Sequence, residues 1–339
     1  MTEPKPASWL DPRLAVGVAV SALAIWIAFR DVPLGRVWQA LASADLWVAV
    51  VPSFACYLAA LWVRVLRWRH LAAGVGELPY GAAYRATAIR FMVNNLFPFR
   101  LGEIVGPWVI SREVGGSAAA WFGTVVLERA FDMAAIMGLA IFLIADRVDL
   151  AWGYRIFAFV PMLGIAALRL WPAFFVGIGR SVLTALLPRG VAARAVGLVE
   201  EIVAGLAGIR DVRGLGLVIF HTLLLWAVIS PIPFLLAQRS LGVDLGSLRL
   251  DFLGATMTTV AVAAAVGLPQ APGFVGVYHA ACKTLLVALG VDKDTAIAVG
   301  TLAHALFWTS ITGYGLLALR RSGTSLAETL RGARRSSAA

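Results

Sequence analysis

A chain of 339 residues that is 60% hydrophobic and only 14% charged is no soluble globular domain, where about a quarter of residues are charged. Its formal net charge of +10 does not mark a nucleic-acid binder, because the basic residues gather at the ends of apolar stretches, mostly on one side of the membrane those stretches imply. Cys56 and Cys282 both lie in apolar segments, so no disulfide framework is expected.

Stretches long enough for a helical span, about 17–25 residues, occur at 12–29, 46–66, 118–144, 155–178, 214–236, 252–268, 274–290 and 295–319. A further stretch, 81–99, is interrupted by Arg85, Arg90, Asn94, Asn95 and Pro98 and reads as re-entrant. The expected fold is all-α: a polytopic membrane helical bundle with about eight spanning helices plus at least one re-entrant helix. A single integral-membrane domain covers 1–320, and a basic cytoplasmic tail, 321–339, is predicted to be partly disordered. Ala28-Phe29-Arg30-Asp31 is no small-residue cleavage site, so the first span is retained. With the N-terminus inside, Arg64, Arg67, Arg69, Arg85, Arg90 and the basic tail fall on the cytoplasmic side, and both termini are cytoplasmic. Between 179 and 213, Val191, Ala195, Leu198, Ile202, Leu206 and Ile209 recur at helical spacing and predict a helix lying at the cytoplasmic interface.

Backbone that leaves the helix at membrane depth is tolerated only inside protein or along a wet cavity. The first such break runs from Asn94 and Asn95 through Pro98 and Arg100 to Glu103. It offers two amides, a carboxylate, and a guanidinium fork suited to phosphate. The competing reading is a capped helix end with Arg100 snorkelling to the interface. The next span carries Glu128, Arg129 and Asp132, and each charge at mid-helix costs about 2.5–3.5 kcal/mol on insertion scales. Glu128 and Asp132 share a helical face, and Arg129 stands at pairing distance from Asp132. Two carboxylates against one guanidinium leave a negative surplus, so another cation, from protein or ligand, is expected.

The second break, Gly267 to Gly276, includes Pro272 and Gly273, and His279 and Lys283 follow one helical turn apart. A buried His is more often a hydrogen-bonded core residue than a ligand. Lys283 lies deep enough that it must face a polar interior or lose its charge. One break in each half points to a site shared by two repeats, although no residue-level repeat is visible. His70, His221, His279 and His304 are scattered; no metal-ligand spacing, Walker A loop, nucleotide-binding glycine fingerprint or nucleophile elbow is present. No metal and no cofactor is expected.

These residues resemble the lysylphosphatidylglycerol synthase transmembrane family, also described as flippase-like integral membrane proteins. The marks are Arg64-x-x-Arg67-Trp68, then Asn95-x-x-Pro98-x-Arg100-x-Gly102-Glu103, then Glu128-Arg129-x-x-Asp132, then Pro272-Gly273-x-x-Gly276. The resemblance covers most of the chain. It implies about eight spans with re-entrant helices, a bacterial or archaeal inner membrane, and translocation or handling of lipids with modified headgroups. Two departures touch the implied site. Gly106-Pro107 stand where family members commonly carry an Arg, and His279 stands where a Glu is common. The large aminoacyl-transferase domain of the bifunctional synthases does not follow the last span here, so synthase activity is not expected.

The favoured expectation is a transporter rather than an enzyme: an ATP-independent lipid translocase or lipid-binding transporter for a phospholipid or polyprenyl-phosphate lipid with a modified headgroup. Its substrate-binding residues would be Asn94, Asn95, Arg100, Glu103, Glu128, Arg129, Asp132, Pro272, Gly273, His279 and Lys283. Its partners would be membrane lipids with anionic or zwitterionic headgroups and no nucleic acid, with a homo-oligomer or a separate lipid-modifying enzyme as further partners. The alternatives are a membrane-embedded glycosyl or acyl transferase acting on a lipid phosphate, with Glu103, Glu128 or Asp132 as base, and an accessory membrane subunit of a lipid-modifying synthase.

Overall fold

In a bilayer the backbone amides of a lipid-facing segment must be satisfied within the protein, which leaves helices as the natural outcome for an apolar chain without strand alternation. The structure, a computed structural model, describes residues 12–147, 160, 163–164, 167, 171–193, 195–197, 200, 209, 211–267, 272–323 and 325–336. Among these residues there are helices and no strand. In chain order they are α1 (Pro12–Phe29), α2 (Leu34–Ala42), α3 (Leu46–Leu71), α4 (Tyr80–Leu96), α5 (Gly102–Val114), α6 (Ala118–Arg147), α7 (Pro172–Leu186), α8 (Val212–Leu223), α9 (Ile232–Ser240), α10 (Leu248–Ala265), α11 (Val277–Ala288), α12 (Lys293–Ser322) and α13 (Leu326–Ser336). Single turns at Pro98–Arg100 and Pro272–Phe274 precede α5 and α11, and a π-helical turn, Leu224–Ile229, follows α8.

The chain is a polytopic helical membrane bundle. Leu46–Leu71, Val212–Ser240, Leu248–Ala265 and Lys293–Ser322 are each long and apolar enough to cross a membrane. α6, with 30 residues, has the length but carries the charged triad. The stretch read as a span at 274–290 is shorter as a helix. Gly276, at φ 88°, delays the start of α11. Twelve residues at 1.5 Å each extend about 18 Å, against a hydrocarbon core of about 30 Å. Half of the stretch predicted at 155–178 lies outside the described residues, as do Leu198, Ile202 and Leu206 of the predicted interfacial helix.

The chain divides into two compact units: Met1–Tyr57, Phe91–Gly102 and Pro231–Gly313 form one, and Leu58–Arg90, Glu103–Ser230 and Tyr314–Ala339 the other. The first unit is built on an apolar core of Phe234, Ala255, Val262, Tyr278, Cys282, Leu286, Val299 and Ala303. Within it α1 packs on α11 and α11 on α10. Gly276 makes the first contact possible, since a Cβ there would lie 2.7 Å from the Ser21 carbonyl oxygen and 2.8 Å from the Ile25 nitrogen. The two short turns, Pro98–Arg100 and Pro272–Phe274, also meet in this unit. In the second unit α6 packs against α8 and the π turn.

The C-terminal stretch, predicted as a partly disordered tail, contains the helix α13. Ser325 Oγ accepts from the Glu328 amide, and Glu328 accepts from the Ser325 amide and hydroxyl, a capping box that starts the helix. Thr329 and Ala333 are buried, and Gly332 lies so close to Trp108 that a Cβ would overlap the ring. The segment has no apolar run long enough to announce itself; one helical face of small residues suffices to pack it.

One series of elements occurs twice. α4, a three-residue turn, α5 and α6 have 17, 3, 13 and 30 residues. α10, a three-residue turn, α11 and α12 have 18, 3, 12 and 30. Each turn opens with Pro, reaches Gly four residues on, and places two successive residues in the left-handed region: Phe99 (φ 60°) and Arg100 (φ 52°), Gly273 (φ 75°) and Phe274 (φ 60°). Left-handed backbone costs a non-glycine residue about 1–2 kcal/mol. Keeping it at matching positions marks these turns as constrained by their surroundings.

Candidate functional site

α6 starts at a capped end, where Ser117 Oγ accepts from the Ala120 amide. The helix then carries Glu128 and Asp132 one turn apart, and both side chains are fully buried. Two buried carboxylates need cations, and α3 and α4 supply them. Arg67 on α3 spans the pair, with Nη1 2.7 Å from Asp132 Oδ1 and Nη2 2.9 Å from Glu128 Oε1. Its Nη1 also donates to Thr222 Oγ1 at 3.1 Å. Only a planar fork can serve both carboxylates in this way, so Lys would not replace it. Arg90 on α4 donates from Nη2 to Glu128 Oε2 at 2.6 Å and lies 3.9 Å from Glu103.

Two further guanidiniums sit farther out. Arg64 Nη1 is 3.6 Å from both Glu128 and Asp132. Arg129 Nη2 is 3.2 Å from Glu128 and 3.4 Å from Asp132, and its Nε is 4.0 Å from Glu103. The predicted Arg129–Asp132 pair is present. The exposures separate a closed floor from a more open rim. Side chains of Arg67, Arg90, Glu128 and Asp132 are 0% exposed, while Arg64, Glu103 and Arg129 are 12%, 15% and 22% exposed.

Indoles frame the cluster. Trp226 Nε1 donates to Asp132 Oδ1 at 2.7 Å. Trp226 lies in the π-helical turn, where Ser230 bonds back to Leu225; such turns recur at functional sites because one extra residue re-aims the neighbouring side chains. Trp68 Nε1 donates to Thr124 Oγ1 at 2.8 Å, and the Arg90 guanidinium lies 5.4 Å from the Trp68 ring. Gly106 gives Arg90 its path: a Cβ there would come within 2.9 Å of Arg90 Cδ and 3.1 Å of its Cβ. The departure Gly106-Pro107 is therefore the space through which the Arg90 stem reaches Glu128.

The negative surplus of the triad is met by arginines from α3 and α4. Among the described residues the cluster holds Arg64, Arg67, Arg90 and Arg129 against Glu103, Glu128 and Asp132. The missing cation is supplied by the protein. Arg67 and Arg90, expected at the cytoplasmic interface, are instead buried in ion pairs. The signal that could have found them was Arg64 and Arg67 one turn apart at the end of an apolar stretch, together with Arg90 inside another. Snorkelling accounts equally well for such residues from sequence alone.

The remaining expected site residues lie in the other unit. Asn94 and Asn95 are buried, and Asn95 Nδ2 is 3.4 Å from Thr312 Oγ1. Gly273 sits against the Asn95 carbonyl, 3.6 Å from where a Cβ would stand, so the two breaks are brought together there. Its own carbonyl accepts a 2.6 Å hydrogen bond from His304 Nε2, which fixes that nitrogen as the protonated one. His279 is buried beside His304, rings 5.0 Å apart and edge to face, and Tyr278 stacks on His304 at 4.7 Å. Histidines that look scattered in sequence are thus neighbours. Arg100 is partly buried at the end of its turn, and Pro272 is exposed. Lys283 is held in place: its Nζ meets the Asp31 carboxylate and donates to the Ala28 carbonyl at 3.0 Å, capping the end of α1.

A helical membrane bundle organised round buried arginine–carboxylate pairs is the class that fold and site define. The chain belongs to the lysylphosphatidylglycerol synthase TM region family, which matches residues 14–315. It is also 27% identical to a glycosyltransferase, AglD, of Haloferax volcanii, over 93% of this chain and 56% of that protein. The chain thus spans about half the length of the curated relative it matches.

Proposed function

We propose that the chain is a lipid translocase or lipid-binding transporter that works without ATP and receives a lipid phosphate at Arg64 and Arg129. The observation that carries this reading is the placement of Arg64 and Arg129 at the more open rim, beside Glu103, while Glu128 and Asp132 are closed. A phosphate oxygen would compete with carboxylates held by Arg64 and Arg129 at 3.2–3.6 Å, leaving the closer contacts of Arg67 and Arg90 intact. Guanidinium forks suit tetrahedral oxyanions. A phospholipid or a polyprenyl-phosphate lipid would satisfy this requirement, and an amine on a modified headgroup would meet Glu103. Asn94, Asn95, Arg100, Pro272, Gly273 and His279 are proposed as a separate set of substrate contacts within their own unit, whereas Lys283 is left to α1.

In this reading both termini are cytoplasmic in a bacterial or archaeal cell membrane. A second reading keeps the same phosphate contact but assigns it to a membrane-embedded transferase. The relative named as a glycosyltransferase favours it.

The test is binding and flipping of a fluorescent phosphatidylglycerol by the full chain in nanodiscs and liposomes. Arg129→Gln and Arg64→Gln, compared as the folded fraction, should each weaken binding about tenfold, the loss of one charge-assisted hydrogen bond, and slow dithionite-protected exchange. Arg100→Gln and Arg100→Lys report on the other unit: if Arg100 binds phosphate, Lys keeps partial binding and Gln little. Unchanged binding in the Arg129 and Arg64 variants would sink the proposal. Transfer of a sugar to a lipid phosphate by the purified chain would favour the second reading.

A further inference from the structure

The unit that holds the ion cluster also holds a cavity apart from it. A cavity of about 320 Å³ is lined by Leu58 and Trp62 of α3, Gly81, Tyr84 and Arg85 of α4, and Leu317, Ala318 and Arg321 of α12. Its volume falls in the range that holds a small organic group. One wall is aromatic, with Trp62 and Tyr84 stacked at 5.4 Å and 27°. Another is cationic and arranged. Arg85 engages Glu113 through Nε and Nη2, which turns Nη1 towards Gly81, 3.3 Å from where a Cβ would stand. The absence of a side chain at 81 leaves that edge of the guanidinium room at the cavity wall. Arg321, exposed, closes the cavity at the end of the last long helix, next to Arg320. Leu317 and Trp62 are 59% and 43% exposed, so an apolar flank continues outward from the charged end.

We propose that this cavity holds one anionic glycerophospholipid, its phosphate between Arg85 Nη1 and Arg321 and an acyl chain along Leu317 and Trp62. Four features fit that occupant and no soluble anion: a charged end and an apolar flank in one cavity, stacked Trp and Tyr of the kind that sit at headgroup level, and a basic helix end of the kind that anionic headgroups attract. Leu58 and Ala318 are too apolar to serve a free phosphate. The site is separate from the one proposed for transport, because none of its lining residues belongs to the ion cluster. Its occupant would be a resident lipid that ties α3, α4 and α12 together rather than one that is moved.

Native mass spectrometry of the delipidated full chain, titrated with phosphatidylglycerol or with phosphatidylcholine, tests this. The parent should retain one phosphatidylglycerol at activation energies that strip phosphatidylcholine. Arg321→Gln should lower retention about tenfold, and Gly81→Val should lower it too by crowding Arg85. Arg129→Gln should leave this lipid in place, while Arg321→Gln should leave fluorescent-lipid exchange at the parental rate. If Arg321→Gln and Gly81→Val both retain the lipid as the parent does, the cavity is not its site. If inorganic phosphate at millimolar concentration displaces it, the cavity is an anion site and not a lipid site. Failure of the transport proposal would appear as unchanged fluorescent-lipid binding in Arg129→Gln and Arg64→Gln and would leave these retention results untouched.

Discussion

Counted from the start of each 30-residue helix, Arg129 of α6 and His304 of α12 hold the same position. Both helices follow a Pro-to-Gly turn with two left-handed residues. In the first series the neighbours of Arg129 are Glu128 and Asp132, and buried arginines of α3 and α4 pair with them. In the second the corresponding residues are Ala303 and Phe307, and His304 spends its polar atom on the Gly273 carbonyl. One backbone plan thus carries a charged solution and a nearly apolar one. The difference teaches that the turn is a scaffold and the chemistry is added on the helix that follows it. Where charge was added, partners had to be recruited from two other helices. Where it was not, a single imidazole holds the turn.

The largest expected effect comes from breaking the charged version. Arg67→Met strands Glu128 and Asp132 without their shared fork, and breaking a buried pair costs about 3–5 kcal/mol. Folded yield in detergent should collapse, and Arg67→Met combined with Glu128→Gln and Asp132→Asn should recover part of it. Arg129→Leu, at the more open rim, should lose less than Arg67→Met, and its pairing with Asp132 should show as partial recovery in Arg129→Leu/Asp132→Leu. Equal losses for Arg67 and Arg129 would erase the distinction between floor and rim.

The contrast also explains what the sequence disclosed. The membrane class, the helical fold and the triad on α6 follow from length, hydropathy and the cost of buried charge, all local properties. Both breaks were legible because Pro and Gly punctuate the backbone wherever they stand. The partners of the triad were not, since Arg67 and Arg90 lie 61 and 38 residues from Glu128, and an arginine near a helix end is consistent with snorkelling until its contacts are seen. The repeat was hidden because it preserves element lengths and two residues of the turn rather than side chains. His279 and His304 become neighbours only when α11 and α12 pack.

Smaller effects sharpen the comparison from the apolar side. His304→Leu leaves the Gly273 carbonyl without its donor, and an unsatisfied buried acceptor costs about 1–3 kcal/mol. A thermal melt should show that loss with lipid binding at the Arg129 rim unchanged. Gly106→Ala intrudes on the Arg90 stem, and overpacking of this kind costs about 1–3 kcal/mol. Gly123→Ala on α6, with open space at its Cβ position, should cost little; equal melts for the two would mean that Arg90 does not need the gap.

Lys283→Met should give the smallest change, because Asp31 is half exposed. Its hydrogen bond to Lys283 holds the Asp31 carboxyl below its ordinary value. A carboxyl lowered on folding contributes stability above about pH 4 and loses it as pH falls through the lowered value. The difference in melting temperature between parent and Lys283→Met should therefore be present at pH 7 and shrink in acid. A difference that persists once Asp31 is protonated in acid would assign it to the backbone cap of α1 alone.

The order of the ion cluster along the chain has a consequence for biosynthesis. Arg64, Arg67 and Arg90 all precede Glu128 and Asp132, and a chain is made from its N-terminus. α6 by itself would meet the membrane with a penalty of about 8–10 kcal/mol for its three charges. By the time it emerges, the guanidiniums that neutralise it are already on inserted helices, and their long stems can rest at the headgroups while they wait. A nascent chain stopped after Arg147 should resist alkaline extraction. The same chain with Arg64, Arg67 and Arg90 replaced by Leu should leave α6 outside, although its upstream helices are more hydrophobic. Delivery of the acidic helix is then a task performed by residues made tens of positions earlier, and their place in the message is as constrained as their place in the fold.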